Sequence, residues 1–210
     1  MQNERYNLYI YIHKGIRREL SDLLRIAGSL DFTDREAAIA FTQRLRLSLR
    51  LMHEHAEHED RVIDPLLQQF APKLARRVLS THKVLDEHER EILGLCEAAV
   101  GDPASGYRLY LALSRYAATQ YAHMSDEETE VIGQMWLNMS DEEIIAAENA
   151  IVSDIQPQDV AVYFTWMLHG INEPERVAFI EALRKGAPPE AVAFAEEQAR
   201  AAREAQLAAA

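Results

Sequence analysis

Apolar residues recur along most of this chain in steps of three and four, the period of a helix with one buried face, and strand-like alternation is nearly missing. The first run, about Tyr6 to Ser29, carries Tyr9, Ile16, Leu20, Leu23 and Ala27 on one stripe with His13 at its edge. Gly28 and residues 31–34 end it. Thr33-Asp34-Arg35-Glu36 reads as a capping box opening a second helix that continues to about Phe70. Its stripe is Phe41, Leu45, Ser48, Met52, His55, Glu59, Val62 and Leu66. Pro72 opens a third helix, with Leu74, Val78, His82, Leu85, Glu89, Ile92 and Cys96 inside. The stretch Gly101-Asp102-Pro103-Ala104-Ser105-Gly106 predicts a loop. The fourth helix then reaches about Asn138, with Leu109, Tyr116, Gln120, His123, Glu127 and Gln134 on its inner face. Four helices of ~24 to 34 residues with short connections predict an all-α fold, an up-down-up-down four-helix bundle.

Beyond Ser140 the helical runs shorten. Ser140-Asp141-Glu142-Glu143 is a second capping box, and helices are expected over about 141–152, 157–169 and 174–185. A bundle domain over residues 1–139 and a C-terminal helical extension over 140–210 follow. Val160, Phe164, Trp166, Met167 and Leu168 are too apolar for free solution, so they are expected to dock on the bundle or on a second subunit, as in a homodimer. His169 is expected to cap its helix end. The last helix, from Pro189 to about Leu207, has a weak stripe and reads as peripheral.

Polar residues on the inner stripes change the picture. His55 and Glu59 stand four apart, one turn above each other, and can grip one ion from one side; His123 and Glu127 repeat the arrangement. An unpaired carboxylate buried there would cost several kcal/mol. His53 falls on the opposite face and His58 about a quarter-turn off, so both are expected in solvent. On the third helix His82 lies about 40° from the stripe centre and His88 about 80°, which favours His82 and leaves His88 open. With helices alternating in direction, His13, Glu59, His82 and Glu127 fall within one or two turns of a common level.

The candidate metal set is therefore His13, His55, Glu59, His82, His123 and Glu127. Imidazole with carboxylate suits iron, manganese or zinc, and no thiolate set is present for a structural zinc cluster. Six ligands exceed one tetrahedral ion; they suit two ions ~3.5–4 Å apart, with Glu59 and Glu127 bridging. The Glu-x-x-His pairs of ferritin-like di-iron bundles are not present, Gln120 standing where that glutamate would precede His123. Tyr116, one heptad before His123, reads either as a donor to a bound ligand or as a core tyrosine.

The net charge of −12 over 210 residues argues against nucleic-acid backbones and anionic membrane surfaces as partners. The single cysteine, Cys96, excludes an intramolecular disulfide, and its stripe position makes it a core residue. The N-terminus around Glu4 and Arg5 carries no apolar run of leader length, which gives a cytoplasmic expectation.

A histidine early in the first helix, His55-x-x-x-Glu59-Asp60 followed by Pro65, Pro72 before His82, and His123-x-x-x-Glu127-Glu128 together resemble the hemerythrin-like family, the HHE cation-binding domain, over roughly residues 6–138. The segment Asn172-Glu173-Pro174-Glu175-Arg176 resembles, more weakly, a C-terminal extension of some bacterial members. The resemblance implies a four-helix bundle holding two non-haem iron ions with oxo and carboxylate bridges, and a role in dioxygen binding, in sensing dioxygen, nitric oxide or peroxide, in iron handling or in repair of iron centres. An iron store or iron-dependent regulatory module without gas chemistry is the alternative, and enzymatic turnover stays undecided. Two departures stand out. The family's oxygen carriers have a second histidine four residues after the first on the third helix, where this chain has Asp86, and their last carboxylate lies five residues after its histidine, which would select Glu128 over Glu127.

Overall fold

The computed structural model describes residues 5–209; residues 1–4, with Glu4 of the N-terminal reading, lie outside the described residues. The described chain is all-α, without a strand. It divides into two compact units, one of residues 5–8 with 20–154, the other of 9–19 with 155–209.

The first unit takes the second half of α1 (Ile10–Ser29) together with α2 (Arg35–Phe70), α3 (Pro72–Ala99), α4 (Pro103–Asp126), a π-helical segment (Glu127–Val131), α5 (Ile132–Asn138) and α6 (Asp141–Asp154). Neighbouring helices run in opposite directions. Along α2 and α3, Arg46 reaches the Leu93 carbonyl, His53 meets Asp86 and Glu89, and Asp60 meets His82. Along α3 and α4, Glu91 pairs with Arg115, Glu89 with Tyr116 and His82 with His123. The second half of α1 does the same against α4, with Ser21 at Tyr121 and Gly28 under the Tyr110 ring.

Local chemistry sets the ends. Asp34, not Thr33, caps α2: its carboxylate accepts from the Ala37 N–H, while the Thr33 hydroxyl donates to Asp31 instead. The expected loop at 101–106 shrinks to residues 100–102, because Asp102 accepts from the Ala104 and Ser105 N–H groups and Pro103 opens α4. Gly101 takes a positive φ of 86°, and Gly106 admits the Phe32 ring where a side chain would collide. α1 starts at Ile10 rather than near Tyr6. The preceding segment has other partners: the Tyr6 carbonyl accepts from Trp136 Nε1, the Tyr6 hydroxyl binds Glu148, and Arg5 pairs with Asp141. The second capping box forms as expected, Ser140 and Glu143 bonding reciprocally.

The second unit joins the first half of α1 to α7 (Pro157–Gly170), α8 (Glu173–Leu183) and α9 (Pro189–Ala209). Leu168, Ile171, Ile180, Ala195 and Ala199 form its core, with Tyr11, Phe164 and Phe179 against them. Leu168, expected to seek cover, lies in this core, and Trp166 is buried. α9, expected to be peripheral, has a buried face. Its Ala195, Ala199 and Ala202 are buried, a stripe of small residues that brings the helix close to α7. His169 lies in the last turn of α7 and bonds Gln198, and burial first, then Arg18, lowers its pKa.

Candidate metal centre

Four side chains from three antiparallel helices meet inside the first unit. Glu59 of α2, His82 of α3, and His123 and Glu127 of α4 and its π-helical continuation are all buried, and their ligand atoms lie within 4.8 Å of one another. Their stripes put them there: each sits where the helical period calls for an apolar residue, so packing the helices forces imidazoles and carboxylates into one place.

The two imidazoles face each other edge to edge, His82 Nε2 and His123 Nε2 standing 2.8 Å apart. Two bare lone pairs would repel at that distance, so one hydrogen lies between them. His82 Nδ1 donates to Asp60 Oδ1 at 2.7 Å, the carboxylate–imidazole arrangement that orients a metal-binding histidine and leaves its far nitrogen for an ion. Burial disfavours the charged imidazolium, but the Asp60 hydrogen bond and the charges of Glu59, Glu127 and Asp60 outweigh it and raise His82 to about 9. With metal bonds of ~2.0–2.1 Å, tetrahedral ligand atoms stand about 3.3 Å apart, so an ion would spread these nitrogens only slightly.

The carboxylates complete the set. Glu127 Oε1 is 3.2 Å from His123 Nε2. Glu59 Oε2 is 3.9 Å from His82 Nε2, and Glu59 Oε1 faces His55 Nε2 at 3.3 Å. One carboxylate thus presents its two oxygens to two different imidazoles, the disposition a bridging ligand requires. Two nitrogens and two carboxylates in a dry site can hold a metal ion, and the donor chemistry is that of iron, manganese or zinc.

Of the expected ligands, Glu59, His82, His123 and Glu127 converge in this cluster, and His55 reaches it through Glu59. His13 is buried on the first half of α1, stacked on Tyr9. Between the alternatives, His82 rather than His88 and Glu127 rather than Glu128 lie among the converging groups. Asp60, off the inner stripe, is the partner of His82 Nδ1; in the sequence its one signal is its place beside Glu59. The expectation that His58 is solvated is corrected: it is buried, its Nε2 3.6 Å from Asp154 at the end of α6, and burial first, then Arg61, lowers its pKa. Tyr116 is a core tyrosine whose hydroxyl donates to Glu89 Oε1 at 3.0 Å.

The π-helical segment begins at Glu127 itself. The Glu127 N–H reaches the His123 and Met124 carbonyls, and the Ile132 N–H returns to the Glu127 carbonyl five residues back. The wide turn inserts one residue, moving the inner face from the expected Gln134 to Val131 and Met135.

Two outcomes follow from this geometry. Asp60→Asn should weaken metal binding about 10- to 100-fold, because a neutral amide oxygen accepts from His82 Nδ1–H without the charge that makes the imidazole a stronger ligand; competition with a chromogenic chelator measures it. In the metal-free protein, a His82 pKa raised from 6.5 to about 9 contributes stability that is complete below pH 6.5 and is lost as pH rises through 9. Thermal melting of the chelated protein across that window should show the decline, and His82→Gln should flatten it.

Comparison with known proteins returns nothing: no family model, no curated protein and no solved structure matches the chain. No helix among the described residues is long and apolar enough to cross a membrane.

Proposed function

We propose that this chain is a hemerythrin-like protein: an up-down-up-down four-helix bundle whose two non-haem iron ions bind or sense dioxygen, nitric oxide or peroxide. The observation that carries the reading is the buried convergence of Glu59, His82, His123 and Glu127. The opposed directions of α1 through α4 support the bundle, and the two-sided placement of Glu59 between His55 and His82 supports a second ion. His55 would be an imidazole of that ion, with Glu59 and Glu127 shared; manganese or zinc are substitutes by ligand chemistry.

Bound iron would supply a reducible centre with room for a small diatomic ligand. The chain's own residues do the rest. Asp60 would fix the His82 tautomer, and the Glu59 and Glu127 carboxylates would offset the charge of the cations. The third helix offers one imidazole here, since Asp86 turns to His53 rather than toward the cluster. That leaves a coordination position for water or an incoming ligand. The test is optical: ferrous protein prepared without air is mixed with dioxygen, nitric oxide or hydrogen peroxide. New absorption on mixing, lost in Glu59→Ala, supports the reading; a spectrum unchanged by all three overturns the gas and peroxide role.

A second reading, an iron-dependent regulatory module, is favoured by one contact. Arg61 and His58, flanking Glu59, both hold Asp154 at the end of α6. If metal occupancy is relayed there, iron loading should change protease cleavage after Ser140; an unchanged pattern excludes it.

A further inference from the structure

A separate group of ligand-type side chains lies between α2 and α3, sharing no residue with the buried cluster. His53, Asp86 and Glu89 each direct one donor atom to a common point, all three within 4.8 Å of one another. His53 Nδ1 stands 3.1 Å from Asp86 Oδ1 and 3.3 Å from Glu89 Oε2. These are the separations that an ion with ~2.0–2.1 Å bonds imposes on its ligands, about 3.3 Å. One imidazole proton cannot serve both carboxylates well, whereas one divalent cation can bind all three groups.

The surroundings are built for such an ion. Glu89 is nearly buried, its side chain 9% exposed, while His53 and Asp86 are 42% and 43% exposed. A carboxylate in that position is costly without a compensating positive charge. Its two oxygens have separate tasks: Oε1 accepts from the buried Tyr116 hydroxyl and Oε2 faces His53. Tyr116 thereby orients the carboxylate from behind, and Glu57, 3.6 Å from His53 Nε2, faces the other ring nitrogen. The group opens into a groove of about 420 Å³, which gives an ion access and room for water ligands. The nearby Arg50 is committed to Glu54, and Arg46 reaches the Leu93 carbonyl.

We propose that His53, Asp86 and Glu89 form a second, solvent-accessible site for a divalent cation of the zinc or manganese type, exchangeable and independent of the buried centre. One nitrogen and two carboxylate oxygens match those ions better than calcium or copper.

Zinc binding by equilibrium dialysis against a weak chelator tests it, with His123→Ala as the background in which the buried cluster is crippled. That variant should still take up one zinc ion per chain. Adding His53→Ala or Asp86→Asn should weaken this uptake at least about tenfold, and Tyr116→Phe should weaken it about tenfold through loss of orientation alone. Asp86 is exposed, so its variant reads the site even if Glu89→Gln fails to fold. Zinc uptake by His123→Ala that is absent, or indifferent to both His53→Ala and Asp86→Asn, reduces the group to an ion-pair network and overturns the site. Failure of the buried centre would leave this result standing, because the two tests use different residues.

Discussion

His123→Ala is expected to empty the buried centre while leaving the protein helical. His123 contributes the nitrogen that faces His82 at 2.8 Å and lies 3.2 Å from Glu127, so its loss removes one ligand and the contact that positions two others. Iron per chain should fall to near background. The fold should survive, because alanine is the best helix former and the core of this unit rests on Leu45, Leu85, Ile92 and Leu113. The vacated imidazole costs the metal-free protein about 2 kcal/mol through the stranded His82 proton. Metal analysis with circular dichroism separates the two effects, and iron content equal to wild type would refute the ligand role.

The second large effect lies far from the metal. Gly170→Val should disrupt the packing of α1 on α7. A Cβ at Gly170 would lie 2.7 Å from the Lys14 carbonyl carbon, and one at Gly15 would lie 2.8 Å from that of Trp166. These are backbone atoms and cannot swing aside as a side-chain tip can. The two glycines let the helices touch main chain to main chain, and the Lys14–Glu175 pair and the Tyr11–Phe179 contact flank the crossing. Forcing them apart would expose Leu168 and Trp166 and cost about 3 kcal/mol or more. Chemical denaturation of Gly170→Val should show that loss, with Gly133→Ala, where a Cβ meets nothing within 4 Å, as the neutral control.

The helices, and which polar side chains turn inward, were legible because long amphipathic periods set the buried side of each run. His55, Glu59, His82, His123 and Glu127 sit on their stripes, and all five are buried as that period requires. Extrapolation failed where the period changes. After Glu59 the inner face of α2 passes to Ile63 and Leu67 instead of Val62 and Leu66, and the π-helical turn shifts the end of the fourth run by one residue. Pro65 lies inside α2 at the first change and Gly133 follows the second, but neither residue by itself gives the size or direction of the shift. His58 was misplaced for another reason: its cover comes from Asp154, ninety-six residues away in the chain, and no local pattern contains that contact. The α9 stripe was invisible because alanine weighs little in a hydropathy pattern, although its small size is what permits close approach. Resemblance suggested the hemerythrin-like ligand order; only the folded geometry singles out Asp60 as the group that orients His82.

The central claim is that the buried His/Glu cluster is a working metal centre. Metal analysis and an optical spectrum of protein purified without chelators test it most directly. The account predicts about two iron ions per chain, with near-ultraviolet ligand-to-iron charge-transfer absorption. Substoichiometric metal that persists after anaerobic ferrous reconstitution would contradict it, and the buried imidazoles and carboxylates would then be a proton-shared polar core of an all-α protein.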